Sequence, residues 1–433
     1  MRDYLLAVLI LIPAGWALRA PWIGVLAWTV LSIMNPHRYS WVLYNLPVAA
    51  LVAGTTMLGV LANRKDTHFP LTSETVVLML LMLWFCITLP FSFNIDASYF
   101  QWIKVMKIDF MILVAALVIH SKKHILALTW AVVISLAFYG VKGGLFTIAT
   151  GGNHRVWGPE GTFIEGNNEL ALALIMCIPL IQILRFEAQN VWLKRGLLTT
   201  MLLCAVAGLG SHSRGALVAL AAMALVLWWR GKSKVLAGVF IVVMGILMIG
   251  FLPEAWFARM NTIGEYKEDG SAMGRINAWW MAWNLAKDHF FGGGFEIYNF
   301  ENFRRYAPDP EDVHAAHSIY FQVLGEHGFV GLIIFLILWL LVWRSAGILR
   351  KQASARPETE WLVNLGAMCQ VSLVAYAVGG AFLSLAYFDL PYNVLLLVVA
   401  GRQWMAQKRW LIEREGAPGL DLAVPTPNQT QLR

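Results

Sequence analysis

The chain has 433 residues, of which 58% are hydrophobic and only 14% charged, with a net charge of +7 and a mean hydropathy of +0.61. That apolar share falls in repeated blocks near span length, which excludes a soluble globular domain and predicts an all-α polytopic membrane protein. The basic residues sit in short connections between the blocks, so the positive charge is read as membrane topology and not as affinity for nucleic acid.

Apolar blocks run at about 4–18, 21–34, 46–63, 73–92, 102–120, 124–148, 168–187, 194–210, 214–229, 234–252, 318–343, 360–384 and 387–406. The first two are short for full spans and read as an interfacial helix or a shallow hairpin, which makes about 12 spans, give or take one. No small-x-small cleavage site follows the first block, which is therefore expected to be retained structure and not a signal peptide. Cys86, Cys177, Cys204 and Cys369 lie inside blocks without CxxC spacing and read as buried hydrophobes.

Lys and Arg gather in alternate connections, at Arg64-Lys65, Lys122-Lys123, Arg185 to Arg195, Arg230 to Lys234, Arg344 to Arg356 and Arg402 to Arg414, which are expected to be cytoplasmic. The other set faces outward and includes 93–101, 150–167, the turn Ser211–Ser213 and the long stretch 253–317. The chain thus divides into N-terminal transmembrane helices (1–252), a large periplasmic segment with amphipathic helices (253–317), C-terminal transmembrane helices (318–410) and a cytoplasmic tail (411–433). Prolines and small polar residues predict disorder from 415 onward.

The 253–317 segment holds ten carboxylates, His289, Arg304, Arg305 and a Gly292-Gly293-Gly294 turn. Helical spacing is expected around 274–283, a second amphipathic piece at 296–306, and a helix start near 311 that would carry His314 and His317 at i, i+3 on one face. Arg155, Arg214 and Arg275 are placed by this topology near the outer ends of spans. Their fork geometry suits a diphosphate, although snorkelling or pairing with acids such as Glu160 and Glu165 would also account for them. His314 and His317 read as structural, as metal ligands lacking a third partner, or as a general base. Asn167-Asn168 and Gly158 read as cap and turn or as sugar contacts, and Gly325, Gly328 and Gly331 as sites of close helix packing. No Walker A motif, Rossmann fingerprint, nucleophile elbow or acidic metal pair is present.

His317-Ser318 followed by Glu326-x-Gly328-x-x-Gly331, with Ser213-Arg214-Gly215 opening a span and a large outward loop between, resembles the O-antigen ligase and polymerase superfamily over roughly 70–410. Arg275, Trp279 with Ala282, and the Gly292–Gly294 turn with Phe295 follow the same pattern. The Met34-Asn35-Pro36-His37-Arg38 turn looks like the exosortase-associated O-glycosylation ligases. The resemblance implies a C-type glycosyltransferase fold in the bacterial inner membrane, an undecaprenyl-diphosphate-linked glycan donor, periplasmic chemistry, and no nucleotide, metal or cofactor. It makes His317 the catalytic base and Arg214, Arg275 and, more weakly, Arg155 the diphosphate binders, with His314, Ser318, Glu326, Arg304 and Arg305 as supporting candidates. Ser318 stands where many relatives have Asn.

The expected reaction is inverting, metal-independent transfer to a hydroxyl of the lipid A-core oligosaccharide. The alternatives are an O-antigen polymerase, a protein O-glycosylation ligase and, from another class, a lipid-linked oligosaccharide transporter. The transporter would set charges deep in its spans, whereas Lys104, Lys107 and Asp109 form the one cluster within a block and lie toward its outer end. The topology is checked by single cysteines. Those at Glu268 and Asp309 should react with impermeant thiol reagent from the periplasm, and those at Ser233 and Ala353 should not; reversed labelling would invert the topology.

Overall fold

A computed structural model describes residues 2–44, 46–64, 67–230, 234, 238, 245 and 270–415. All regular structure among them is helical. The 234–252 block, residues 253–269 of the expected periplasmic segment and the tail from 416 fall outside the described residues, apart from isolated positions in the first.

Helices α1 (Arg2–Ala17), α2 (Pro21–Ile33) and α3 (Val48–Ala62) pack on one another around Ile10, Ala14, Leu31 and Val52, a small core of their own. The main bundle follows with α4 (Ser73–Thr88), α5 (Ile95–Val118), α6 (Lys122–Ala149), α7 (Asn167–Glu187), α8 (Val191–Gly210) and α9 (Arg214–Arg230). Two further helices, α10 (Gly270–Asp288) and α11 (Phe300–Tyr306), precede α12 (Ile319–Ala353), α13 (Glu360–Gly380), α14 (Asp389–Ala406) and α15 (Arg409–Glu415). α15 covers the first residues of the expected tail.

Among the described residues, six helical segments are long and apolar enough to cross a membrane: Ser73–Phe91, Lys122–Ala149, Asn167–Glu187, Val191–Gly210, Ile319–Ala353 and Pro357–Gly380. α5 has 24 residues but carries Asp96, Lys104, Lys107 and Asp109, while α2 and α3 are shorter apolar helices of 13 and 15 residues. Polar caps in the sequence start several helices: Asn94, Ser121, Asn190 and Asn299 each accept a backbone amide of their own first turn. α7 is apolar all round and is buried without interruption from Leu170 to Ile181, as a helix enclosed by neighbours must be. The four cysteines are free, and three of them are fully buried.

The basic connections meet acids at one end of the bundle, where Lys122 pairs with Glu187 at 2.7 Å and Arg402 with Glu74 at 3.3 Å. The other set gathers at the opposite end. Phe93 N donates to Gly293 O, His212 Nε2 lies 2.8 Å from Gly152 O, and Asn167 Nδ2 donates to Ser211 O at 2.7 Å.

At that end α12 is broken. Gly328 has φ 68 and ψ −175, a conformation open to glycine, and the helix resumes beyond it. The part after the break, residues 329–353, rises about 37 Å and could span a bilayer alone. A break in a buried helix frees carbonyls that need donors. The Gly292–Gly294 turn supplies them: Gly293 N donates to Gly325 O at 3.0 Å and Gly294 N to Glu326 O at 2.9 Å, while Trp84 Nε1 donates to His327 O at 2.9 Å. Such close approach requires glycine, since a Cβ on Gly292 would lie 2.6 Å from the Glu326 carbonyl and one on Gly328 would collide with Phe290 O. Gly325 and Gly331 pack closely against Ala282 and Ile297 and against Trp84, as expected; Gly328 makes the break instead.

Three local expectations are corrected. No helix begins near 311: residues 312–317 are irregular, with His317 left-handed, and α12 begins at Ile319, so His314 and His317 do not share a helix face. Pro308 and Pro310 keep the residues before them, Ala307 and Asp309, out of the α region, and Asn277 of α10 ties the segment down by donating to the carbonyls of Asp309 and Asp312. The amphipathic piece expected at 296–306 is helical only over Phe300–Tyr306, because Glu296 (φ 62) sits in the left-handed region and breaks the run. Ala353 is fully buried, so the labelling position on that loop is better set at exposed Ser354.

Gly328→Ala should cost about 2–4 kcal/mol, since it combines left-handed strain with a backbone collision. Gly15→Ala, with nothing within 4 Å of the added Cβ, should leave stability unchanged or slightly raised. Melting of both variants in detergent checks this; equal melting points would show that the break carries no constraint.

Candidate functional site

The site forms where the N-termini of α7, α9 and α12 come together. Asn167, the first residue of α7, holds the carbonyl of Ser211 in the turn before α9. The C-terminal end of α13 joins the other elements: Gly379 packs on Leu172 of α7 and Ala219 of α9, and Gly380 on Ile319 of α12. A glycine pair there lets the three helices close in. Each helix points its positive dipole end into this region.

The α9 terminus is capped within itself, with Ala216 N donating to Ser213 Oγ at 3.2 Å. The other two lack side-chain caps. Gly166 precedes α7, and Ser318 precedes α12 with its Oγ buried and without a hydrogen-bond partner. Uncapped first-turn amides and a positive dipole end make anion-binding groups.

His317 immediately precedes that second terminus. Its backbone is left-handed at φ 42, its side chain is 30% exposed, and its Nδ1 faces Glu169 Oε1 at 3.7 Å. A non-glycine residue at positive φ is held there by its surroundings. Here the hold comes from α10: Trp279 Nε1 donates to Ala316 O at 2.7 Å while its ring stacks on Phe321 of α12 at 5.1 Å. One turn back, Gly274 leaves room for the His314 ring, which also pairs with Asp312 at 2.8 Å.

Arg275 lies between these two contacts. Residues 275 and 279 are i, i+4 neighbours, so the half-buried Arg275 stands on the α10 face that meets the 314–317 segment. Arg214 is half-buried as the first residue of α9. Arg155 is exposed on the rim, next to Val156, whose amide donates to Gly210 O before the same turn.

The remaining candidates lie apart from this convergence. Arg305 is exposed and pairs with Glu301 at 2.6 Å, and Arg304 lies over Phe300, both on the surface of α11. Glu326 is about 10 Å along α12 from its start. Its carboxylate accepts from Tyr387 OH at 2.5 Å and Glu296 N at 3.3 Å, so it fastens the helix break. His289 is held by Tyr306 OH at 2.7 Å. Tyr298 donates to Phe321 O at 2.9 Å, and burial together with the Glu326 charge raises its hydroxyl pKa well above the ordinary value, which suits a structural donor and not an acid.

Glu169 was not foreseen. A glutamate three residues past a glycine, at the head of an apolar helix, reads as an ordinary first-turn acid, and only tertiary contact brings it to His317. Among the described residues, no three His, Cys, Asp or Glu side chains gather as a metal-holding group. The Asn35 turn has φ 51 and presents Arg38, whose Nη1 donates to Glu160 O at 2.6 Å and so fastens the loop leading into α7.

Two family models match the chain. Residues 199–336 match a family described as O-antigen ligase, and residues 1–188 match a family of unknown function (DUF5935). No curated protein matches it significantly. The first match contains Arg214, Arg275, His317 and the helix break, and with six membrane-length helices it describes a multi-pass membrane protein with ligase- or polymerase-type glycosyl transfer in general.

Trp279→Phe should keep the stack on Phe321 but lose the bond to Ala316 O, freeing the strained segment. Glycan transfer should fall roughly tenfold with melting little changed, since one neutral hydrogen bond contributes only about 1 kcal/mol. Unchanged turnover would show that this bond does not position His317.

Proposed function

We propose, from the premise that residues 199–336 place this chain in the O-antigen ligase superfamily, that it transfers a glycan from undecaprenyl diphosphate to a hydroxyl of the lipid A-core oligosaccharide at the periplasmic face of the inner membrane. The observation that carries the reading is the placement of strained, partly exposed His317 beside two uncapped helix N-termini, on a segment gripped by the α10 face that bears Arg275.

In this reading the donor diphosphate lies against the first-turn amides of α7 and α12, with Arg214 and Arg275 as forked donors to its oxygens. His317 takes the proton of the acceptor hydroxyl, whose oxygen attacks the anomeric carbon from the face opposite the diphosphate. A single displacement inverts the anomer. The diphosphate leaves without general-acid help because its charge is spread over several oxygens and the arginines and helix ends stabilise it as it develops. No pair of carboxylates of glycosidase type is needed. Ser318 Oγ, unsatisfied at the head of α12, is placed to hold a donor or acceptor oxygen.

Purified enzyme tests the separate roles. His317→Ala should cut transfer by about 10²–10⁴-fold, roughly 3–5 kcal/mol of barrier, while donor affinity stays near native. Arg214→Ala and Arg275→Ala should weaken donor binding as well as turnover, and lysine at either position should restore only part, because a point charge cannot reproduce the planar fork. Transfer should survive EDTA. A folded His317→Ala enzyme with native turnover, arginine variants with native donor affinity, or a loss on chelation restored by one added metal would each overturn its part of the reading.

A further inference from the structure

A histidine acting as a general base needs one ring nitrogen open to the substrate while the other keeps its proton. In His317 the enclosed nitrogen is Nδ1, which is sealed from solvent and has no hydrogen-bond partner. Across from it, at 3.7 Å, is Oε1 of Glu169, in the first turn of α7 and only 14% exposed. A sealed imidazole nitrogen without a partner is costly, and an ionised carboxylate is the strongest acceptor it could have.

The glycine before α7 supports the same assignment. Gly166 has φ −66, which any residue adopts, so the backbone does not require glycine there. What a Cβ at Gly166 would meet is the Glu169 carboxylate, which it would push aside from its present place. The loop ending at this glycine is fastened from the N-terminal helices by the bond from Arg38 to Glu160 O, and α7 itself is buried on all sides, so Glu169 is held on a rigid support.

We propose that Glu169 is the positioning residue for His317, accepting the Nδ1–H and thereby fixing the tautomer whose Nε2 lone pair meets the acceptor hydroxyl. This rests on the reading of His317 as the base. The separation of 3.7 Å exceeds a hydrogen bond, and a small rotation of the glutamate closes it once substrate orders the segment. In the reaction the hydroxyl proton moves to Nε2, the acceptor oxygen bonds the anomeric carbon, and the bond from that carbon to the diphosphate breaks with its electron pair leaving on the diphosphate. Glu169 stays ionised throughout and stabilises the imidazolium that forms.

The competing role for Glu169 is to cap α7 as a first-turn acid, which would affect folding and not the chemical step. Full-length enzyme in detergent separates the two. With polyprenyl-diphosphate-linked glycan as donor, kcat, donor KM and melting temperature are measured for Glu169→Gln, Glu169→Ala, Gly166→Ala and His317→Ala. Gln keeps an acceptor without the charge, so kcat should fall about tenfold in Glu169→Gln and about a hundredfold in Glu169→Ala, with donor KM and melting nearly unchanged. Gly166→Ala leaves Glu169 in the chain but displaces its carboxylate, and should reproduce the loss in kcat. An inactive His317→Ala enzyme beside fully active Glu169 variants would overturn the positioning role alone. So would a loss of kcat in the Glu169 variants that only follows a fall in melting temperature while Gly166→Ala remains fully active. Native turnover in His317→Ala would instead remove the base on which the inference stands.

Discussion

The break in α12 at Gly328 is the constraint on which the His317 end of this protein depends. A helix interrupted within an apolar bundle leaves carbonyls that water cannot reach, and each unmet group would cost more than a hydrogen bond contributes. The Gly293 and Gly294 amides and the Trp84 indole meet the carbonyls of Gly325, Glu326 and His327. Because those donors belong to the turn after α10 and to α4, satisfying the break also fixes where α10 lies. The position of α10 in turn fixes Trp279, Gly274 and Arg275 against the segment that carries His314 and His317.

Electrostatic design follows from helix direction. α7, α9 and α12 all start at the same end of the bundle, and α13 ends there on a glycine pair narrow enough to let them approach. Two of the three termini lack side-chain caps, so their amides remain oriented toward the region beside His317. Oriented amides in a partly dehydrated site stabilise developing negative charge without having to reorganise, which suits departure of a diphosphate better than departure of a neutral group. The lysine and arginine pairs with Glu187 and Glu74 sit at the opposite end, where they anchor the bundle without competing for the substrate.

The N-terminal helices have a part in this arrangement, although the family model that residues 1–188 match is one of unknown function. Arg38 reaches the carbonyl of Glu160, Ser32 hydrogen-bonds Asp389 at the head of α14, and Tyr139 donates to Met34 O at 2.5 Å. The first of these holds the loop that enters α7, and with it the placement of Asn167 and Glu169, while the other two tie α2 and the turn after it to α14 and α6. The three short helices are thus coupled to the candidate chemistry by hydrogen bonds as well as by packing, since Val25, Ile33 and Val60 enter the main core.

The sequence by itself determined the helical class and most helix positions, and it singled out His317, Arg214 and Arg275 as candidates. Those signals are local: apolar runs of span length and motif spacing. It expected a helix start near 311, because periodicity does not report that Asn277 holds the carbonyls of Asp309 and Asp312 and so keeps that segment out of a helix. It read Gly328 as a packing glycine, since a broken helix and a continuous one have the same hydrophobic pattern when the freed carbonyls are met by a distant turn. Only the tertiary structure decided that Glu326 fastens that break and that Glu169 faces His317. Both depend on which helix ends meet, and that is set by packing between segments far apart in the chain, which no window of sequence contains.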